Sequence, residues 1–249
     1  MSLAKSFFTY FSFVLICLLI VAASVAVAVF FERLARKKNG GTERILSTRK
    51  IVVIGVFSAL AAALFYLDFP VFFAPEFYKL DFSELPALIA AFAYGPVAGV
   101  LIEFIKIMIK LIIKGTSTAF VGELANFVIG VSFILPASVI YHFRKTRRTA
   151  VVSCAVGTGM ITLVGVLFNA FYLLPAFSAL YGMPLEAIIG MGSKVNAGIK
   201  DVTSFVMLAV APLNLLKGVM VSLITLLIYK KLSPVLKSEQ MTKTEHVVD

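Results

Sequence analysis

The stretch PLNLLKG, Pro212 to Gly218, places an amide and an amine inside a segment that is otherwise apolar enough to lie in a membrane. Asn214 and Lys217 are three residues apart, so in a helix their side chains share one face. An ionisable group in the hydrocarbon core costs roughly 2.5–3.5 kcal/mol even on lenient insertion scales. The lysine therefore needs a partner, a ligand or water, and the stretch predicts a membrane helix with a polar face.

A second amide, Asn169, lies in equally apolar surroundings in the preceding span. Counting about 1.5 Å per residue along each helix places Asn169, Asn214 and Lys217 in the outer half of the membrane, within a ligand's length of one another. The alternative is that Lys217 snorkels or pairs with a carboxylate and that the asparagines only bond neighbouring helices. We favour a small-molecule pocket, because few convergent polar groups in an apolar setting are typical of one.

The composition predicts an all-α polytopic membrane protein. Hydrophobic residues make up 60% of the chain, charged residues 14%, and the mean hydropathy is +1.00. A globular protein is usually about 45–50% apolar. The net charge of +10 could indicate nucleic acid, but the basic residues cluster beside the ends of apolar spans. That arrangement follows the positive-inside rule, so the expected partner is the lipid bilayer and not nucleic acid.

Seven apolar stretches approach or exceed the roughly 20 residues that a crossing helix needs, except for the short third one. The third stretch ends at Tyr94-Gly95-Pro96, which predicts that spans three and four form a helical hairpin. The stretches are 7–31, 51–67, 84–94, 97–113, 119–143, 150–174 and 202–229.

The basic clusters predict the orientation. They follow spans one, five and seven, which all end on the same side if every stretch crosses the membrane. That side is predicted to be cytoplasmic, with the N-terminus outside and the C-terminus in the cytoplasm. The clusters are Arg33/Arg36/Lys37/Lys38/Arg44/Arg49/Lys50, Arg144/Lys145/Arg147/Arg148 and Lys230/Lys231/Lys237.

The chain divides into four predicted parts. Residues 1–31 form an N-terminal transmembrane anchor, because the apolar region is too long for a cleaved signal and dense positive charge follows it. Residues 32–50, which contain an Asn-Gly-Gly sequence, form a flexible basic cytoplasmic linker. Residues 51–232 form a six-helix membrane domain, and residues 233–249 form a cytoplasmic tail.

Two external connections are predicted to be long loops. Residues 68–80 are rich in aromatic side chains, and residues 175–200 contain several glycines. Loops of this length are usually functional lids or disordered segments, and aromatic residues at this depth also form interfacial belts. Both interpretations of the aromatic loop stay open. Pro212 suits the first position of a helix, which predicts that the embedded helix begins there and leaves 201–211 at the surface or lining a pocket.

Other charges in the spans are predicted to be structural. Glu103, Lys106 and Lys110 follow one face of span four, and Glu123 shares a face of span five with Asn126. Opposite charges at helical spacing can neutralise one another in lipid, so we expect ion pairs. The carboxylates of Asp81 and Glu84 are expected to cap the N-terminus of the third span.

Motifs that would indicate an enzyme or a metal site do not occur. The chain has no G-x-x-x-x-G-K-[ST], H-E-x-x-H or G-x-S-x-G sequence, and its two cysteines and two histidines lack the spacing of metal ligands. We therefore expect neither enzymatic activity nor a metal. Gly55, Ala59 and Ala63 recur every four residues along span two, and such small stripes let another helix approach closely.

Four motifs together resemble a known family: LDFSELP at 80–86, YGP at 94–96, YGMP at 181–184 and APLNLLKG at 211–218. They are similar to the riboflavin-specific S component of energy-coupling factor (ECF) vitamin transporters. The resemblance covers about residues 50–236. It implies a six-helix subunit of the cell membrane that binds riboflavin as its transported ligand, uses no cofactor, and joins a transmembrane T component and two cytoplasmic ATPases.

The resemblance also implies residue roles. Asn169, Asn214 and Lys217 would contact the flavin from helices five and six of the domain, and Ala59 and Ala63 would dock the T component. The extra N-terminal helix departs from the six-helix pattern. Two other hypotheses stay open: an S component for a different vitamin or flavin derivative, and a membrane interaction protein whose polar residues only hold helices together.

Overall fold

The computed structural model describes the backbone of residues 3–40 and 44–245 and the side chains of residues 12–40 and 44–228. The prediction of an all-α polytopic membrane protein is confirmed. The helical elements are α1 (Leu3–Asn39), α2 (Thr48–Tyr66), α3 (Glu84–Tyr94), α4 (Pro96–Lys114), α5 (Val121–Phe143), α6 (Arg147–Phe168), a π turn π1 (Asn169–Leu173), α7 (Leu174–Tyr181), α8 (Leu185–Val195), α9 (Val202–Phe205), a second π turn π2 (Val206–Val210) and α10 (Ala211–Glu245).

Within the described residues, five helical stretches are long and apolar enough to cross a membrane. They are Ser12–Asn39, Thr48–Tyr66, Val121–Phe143, Arg147–Tyr181 and Val202–Ile228. Of the other two predicted spans, α3 has only 11 residues. The second, α4, is interrupted by charged side chains along its length. Both are nevertheless helical, so α2, α3, α4, α5, the α6–α7 helix and the α9–α10 helix make up the predicted six-helix bundle beside α1.

The predicted hairpin between α3 and α4 is present and depends on Gly95. This glycine ends α3 and begins α4 with a φ of +112°, a region that L side chains rarely adopt. A Cβ at this position would also lie 2.5 Å from Glu32 Oε2. Gly95 is therefore required both for the turn and for the close approach of α1.

Helix α1 packs against α4 and α5 along an apolar seam that contains its buried Ala28. Its carboxylate Glu32, 2% exposed, fixes one end of that seam. Glu32 Oε1 lies 2.6 Å from Lys50 Nζ and 2.7 Å from Arg36 Nη2, and Glu32 Oε2 accepts a hydrogen bond of 3.0 Å from the Val97 backbone N–H. Every oxygen of this carboxylate is thus paired inside the protein.

The segment predicted as a flexible linker is helical at both ends. Helix α1 continues through Asn39, whose side-chain amide donates to the His142 carbonyl at 2.8 Å, and α2 begins at Thr48 behind an N-cap, Ser47. The buried contacts of Glu32 with α4 stabilise α1 beyond its apolar residues, so this helix extends into the predicted linker. The division into anchor, linker, membrane domain and tail stays a prediction.

The prediction that 175–200 forms a long loop is wrong. Helix α7 continues to Tyr181 and stops at Gly182, whose φ is +61°, and α8 follows after a short turn. The apolar residues of these helices, Leu174 and Ile188, are buried in a cluster with Phe205. Burial of that apolar surface outweighs the glycines that suggested a loop.

The prediction that an embedded helix begins at Pro212 is also wrong. The helix begins at Val202, where Asp201 and Ser204 form a capping box, and continues through π2 into α10. A proline inside an α-helix clashes with the carbonyl four residues earlier. Each π turn ends two residues before such a proline, π1 before Pro175 and π2 before Pro212. The wider turn absorbs the misfit without ending the helix.

Candidate functional site

One end of the bundle encloses a cavity of about 430 Å³. Its wall includes all three side chains predicted to bind a ligand: Asn169, Asn214 and Lys217. Ligand pockets commonly have volumes of about 300–1,000 Å³. The structure therefore brings the three predicted residues together, as the depth estimate required.

The two π turns position the asparagines. Asn169 opens π1, and Asn214 lies one turn after π2. Each carboxamide donates one N–H to the carbonyl four residues earlier, Asn169 to Gly165 at 2.7 Å and Asn214 to Val210 at 2.9 Å. A carboxamide has two N–H donors and a carbonyl acceptor. Each side chain is therefore fixed in orientation and keeps further hydrogen-bonding capacity.

Gly165 connects the two asparagines, and the sequence analysis did not single it out. Its carbonyl accepts from Asn169, and the Asn214 carboxamide packs directly over its Cα. A Cβ on Gly165 would lie 2.6 Å from Asn214 Nδ2, so any side chain at this position would displace the Asn214 carboxamide. The available signal was a glycine four residues before a buried amide.

The loop before α3 covers the cavity with aromatic side chains. The strands β1 (Phe69–Pro70) and β2 (Lys79–Leu80) pair antiparallel at its base. Phe77 and Tyr78 line the cavity, whereas Phe72 is 92% exposed. The loop thus has a part that covers the cavity, at Phe77 and Tyr78, and a part that points outwards, at Phe72. The first position suits a lid, and the second suits an interfacial belt.

Tyr78 ties this loop to the asparagines. Its hydroxyl donates to Asn169 Oδ1, and its ring lies 6.0 Å from the ring of Phe205. Burial raises the pKa of the Tyr78 phenol above its ordinary value. The phenol therefore stays protonated and can act as the donor of this bond.

Lys217 is paired with two carboxylates. Its Nζ lies 3.0 Å from Asp81 Oδ2 and 2.8 Å from Glu84 Oε2, and all three side chains are buried. The alternative prediction, that Lys217 pairs with a carboxylate, is therefore confirmed. The same residues line the cavity. An ammonium has three N–H donors, so one remains after both carboxylates are bound.

The prediction that Asp81 and Glu84 cap α3 is wrong, because no side chain that the structure describes accepts a hydrogen bond at the N-cap of that helix. Asp81 instead forms a turn just outside the helix. Its Oδ1 accepts a 2.9 Å hydrogen bond from the Ser83 backbone N–H just before the helix. Glu84 instead lies between Lys217 and Lys106, whose Nζ is 3.2 Å from Glu84 Oε1. The sequence signal for this pairing was a lysine in an apolar span, because a buried ammonium requires a counter-charge from another element.

The remaining charges of α4 form the ion pairs that were predicted. Lys106 lies 2.8 Å from Glu103, and both are almost fully buried. Lys110 lies 2.8 Å from Glu123 at the start of α5. Glu123 also accepts from the hydroxyls of Thr116 and Thr118, at 2.9 and 3.0 Å. These pairs extend the polar wall of the cavity into the protein.

The small stripe of α2 faces away from the cavity. Gly55, Ala59 and Ala63 are exposed, and a Cβ added to Gly55 would meet no atom within 4 Å. Within residues 12–40 and 44–228, no group of three or more histidine, cysteine, aspartate or glutamate side chains could hold a metal ion. The open face of α2 and the cavity are therefore separate surfaces of one bundle.

Comparison with known proteins places this geometry in a family. Residues 49–229 match the model of the family described as ECF transporter, substrate-specific component. The chain is 32% identical to the riboflavin transporter FmnP of Bacillus subtilis over 78% of its own length and 97% of that protein. It is 31% identical to the riboflavin transporter RibU of Staphylococcus aureus over 76% of its length and 93% of that protein.

The fold agrees with these relatives. The solved structure of the S component of a bacterial ECF transporter aligns with a TM-score of 0.59 and 30% identity, over 76% of this chain and 98% of that one. The family match spans α2 to α10 and contains the cavity, whereas α1 lies before it. This chain belongs to the family of substrate-specific components of ECF transporters.

Proposed function

We propose that this protein captures riboflavin for an ATP-driven ECF importer and that the cavity at the α6–α10 junction is the binding site. The observation that carries the proposal is the meeting of Asn169, Asn214 and Lys217 at one cavity. The relatives named above are riboflavin transporters, and the match covers at least 93% of the length of each. Riboflavin is the transported ligand and not a cofactor.

The chemistry of the wall fits a flavin. The pyrimidine edge of the isoalloxazine ring alternates donors and acceptors, which a carboxamide complements with its own N–H and carbonyl groups. The remaining N–H of Lys217 can donate to a carbonyl or ribityl oxygen. Phe77 and Tyr78 supply apolar ring surface, with Phe177 beside them at 6.4 Å from the Phe77 ring.

The proposed partners are those that the ECF family implies, and the sequence itself contains no P-loop motif. A transmembrane T component and two cytoplasmic ATPase subunits would supply the energy, and the protein itself would act as a transport subunit without enzymatic activity. The T component would pack on the exposed α2 stripe at Ala59 and Ala63, where a partner helix can approach closely.

The orientation follows from the basic residues. The cavity opens at the end of the bundle opposite the cluster that joins α5 to α6. With that cluster in the cytoplasm, the cavity faces the outside of the cell membrane, the N-terminus is external and the C-terminus is cytoplasmic. A vitamin could then be taken up from the medium directly.

The absorption spectrum of the purified protein tests the proposed ligand. Protein produced in riboflavin-containing medium should carry a yellow chromophore that is released on unfolding and is identical to riboflavin by chromatography. A colourless protein that also fails to quench the fluorescence of added riboflavin would contradict the proposal. It would favour another vitamin or a role without a ligand.

A further inference from the structure

A second cavity, separate from the vitamin pocket, lies between α1 and the α5–α6 pair. It has a volume of about 510 Å³ and an almost entirely apolar wall. Both serines of the wall donate to their own helices, Ser24 to the Ile20 carbonyl at 2.8 Å and Ser132 to the Ile129 carbonyl at 2.7 Å. Their hydroxyl protons are therefore satisfied, and the wall favours an apolar occupant such as an acyl chain.

This groove continues to a strongly basic end of the bundle. Ser24, Phe31 and Lys38 recur every seven residues on α1, so they share one face. Lys38 Nζ lies 5.6 Å from the ring centroid of Phe143, the last residue of α5. The groove is apolar at Phe31, and the same face of α1 reaches the ammonium group of Lys38 one heptad later.

Among the residues that the structure describes, the exposed charges around that end are of one sign. Exposed arginines and lysines stand at the end of α1 and in the turn from α5 to α6. The nearby carboxylate of Glu32 is buried and already paired with Arg36 and Lys50, so it offsets little of this charge. The exposed basic residues are Arg33, Lys37, Lys38, Arg144, Arg147 and Arg148.

We propose that this groove binds an anionic phospholipid, with an acyl chain between α1 and α5–α6 and the phosphate at Lys38 and Arg144. The apolar groove and the basic end complement the two parts of such a lipid, and each Lys or Arg near a membrane surface contributes about 1 kcal/mol to anionic lipid binding. Helix α1 forms one wall of the site, and it lies before the family match at residues 49–229, whereas α5 and α6 form the rest of the wall. The inference is therefore independent of the vitamin.

Native mass spectrometry of the full chain tests the proposal. Protein taken from bilayers of equal phosphatidylglycerol and phosphatidylcholine should retain phosphatidylglycerol preferentially. The double variant Lys38→Gln/Arg144→Gln should lose that preference, by about fivefold for each charge removed. The matched control Lys194→Gln/Lys200→Gln removes the same charge at the other end of the bundle and should behave as the parent.

A groove variant tests the position of the acyl chain. Ser132→Leu adds bulk to the wall without changing charge, so it should lower retention of phosphatidylglycerol while leaving riboflavin binding unchanged. Equal retention of both lipids by the parent, or unchanged retention in Ser132→Leu, would overturn the proposal. Displacement of the lipid by soluble glycerol phosphate alone would also overturn it, because the site would then recognise a free anion.

Discussion

The two ends of the bundle both bury charged side chains, and they use them differently. At the α3–α4 turn, Glu32 is bound by Lys50, Arg36 and the Val97 N–H, and none of these residues lines the cavity at the α6–α10 junction. At the other end, Lys217 is held by Asp81 and Glu84, and all three line that cavity. The first cluster is closed by the protein, and the second is open to a ligand.

The difference separates a structural role from a binding role for buried charge. A closed cluster should affect stability when it is broken and leave affinity unchanged. An open cluster should affect both, because its groups hold one another and also face the ligand. Neither the residue types nor their burial distinguishes the two clusters. The adjoining cavity does.

The largest effect is expected for Lys217→Met, which breaks the open cluster. Removal of the ammonium leaves two buried carboxylates without this partner, a change that typically costs about 3–5 kcal/mol. We expect reduced thermal stability in detergent together with loss of riboflavin binding. The double variant Lys217→Met/Glu84→Gln removes one of those charges and should recover stability but not affinity. A Lys217→Met protein as stable as the parent would contradict the observed pairing.

A smaller effect, confined to stability, is expected for Glu32→Gln in the closed cluster. The amide oxygen can still accept from Val97, but the buried ion pair between Glu32 and Lys50 is lost. The free energy of unfolding should fall by about 3 kcal/mol, the lower end of the range for a broken buried pair. Riboflavin affinity, measured on the folded fraction, should equal the parent value. A weaker affinity would show that the two ends are coupled.

Gly165→Ala should weaken binding without touching any charge. The new methyl group would lie 2.6 Å from Asn214 Nδ2, so the carboxamide must move. We expect a loss of about 1–3 kcal/mol in affinity, the cost of a mispaired buried polar group. Gly159→Ala is the matched control on the same helix, because its Cβ would meet no atom within 4 Å. Equal affinities for both variants would remove Gly165 from the site.

The smallest effect on binding is expected for Ala59→Leu/Ala63→Leu. Both residues are exposed on α2 and do not line the cavity, so riboflavin affinity in detergent should be unchanged. Riboflavin uptake by cells should fall sharply, because bulky side chains block a close helix contact. Ala155→Leu/Gly159→Leu enlarges an exposed small pair on α6 and serves as the control. Normal uptake and co-purification of the α2 variant with its T component would contradict the docking role.

The sequence alone singled out residues that would be energetically unfavourable in their local surroundings without a specific partner or turn. Asn169, Asn214 and Lys217 stood out because polar groups in an apolar span need partners, and the α3–α4 turn was visible at Gly95. The partners themselves were not predictable, since Asp81 lies 136 residues from Lys217. The π turns were also missed, because Pro175 and Pro212 suggest helix ends unless a wider turn precedes them.

The most direct test of the binding site is a riboflavin fluorescence titration of the parent and of Asn169→Leu/Asn214→Leu. Leucine keeps the number and branching of the side-chain heavy atoms and removes the groups that would bond the flavin edge, whose own polar groups would then be buried unpaired. The parent should quench the fluorescence saturably at one site per chain. The double variant should fold with a lower thermal stability, because Tyr78 loses its acceptor on Asn169. It should lose affinity by at least about tenfold, or roughly 1.4 kcal/mol. Equal affinity of a folded double variant would contradict the assignment of the site to this cavity.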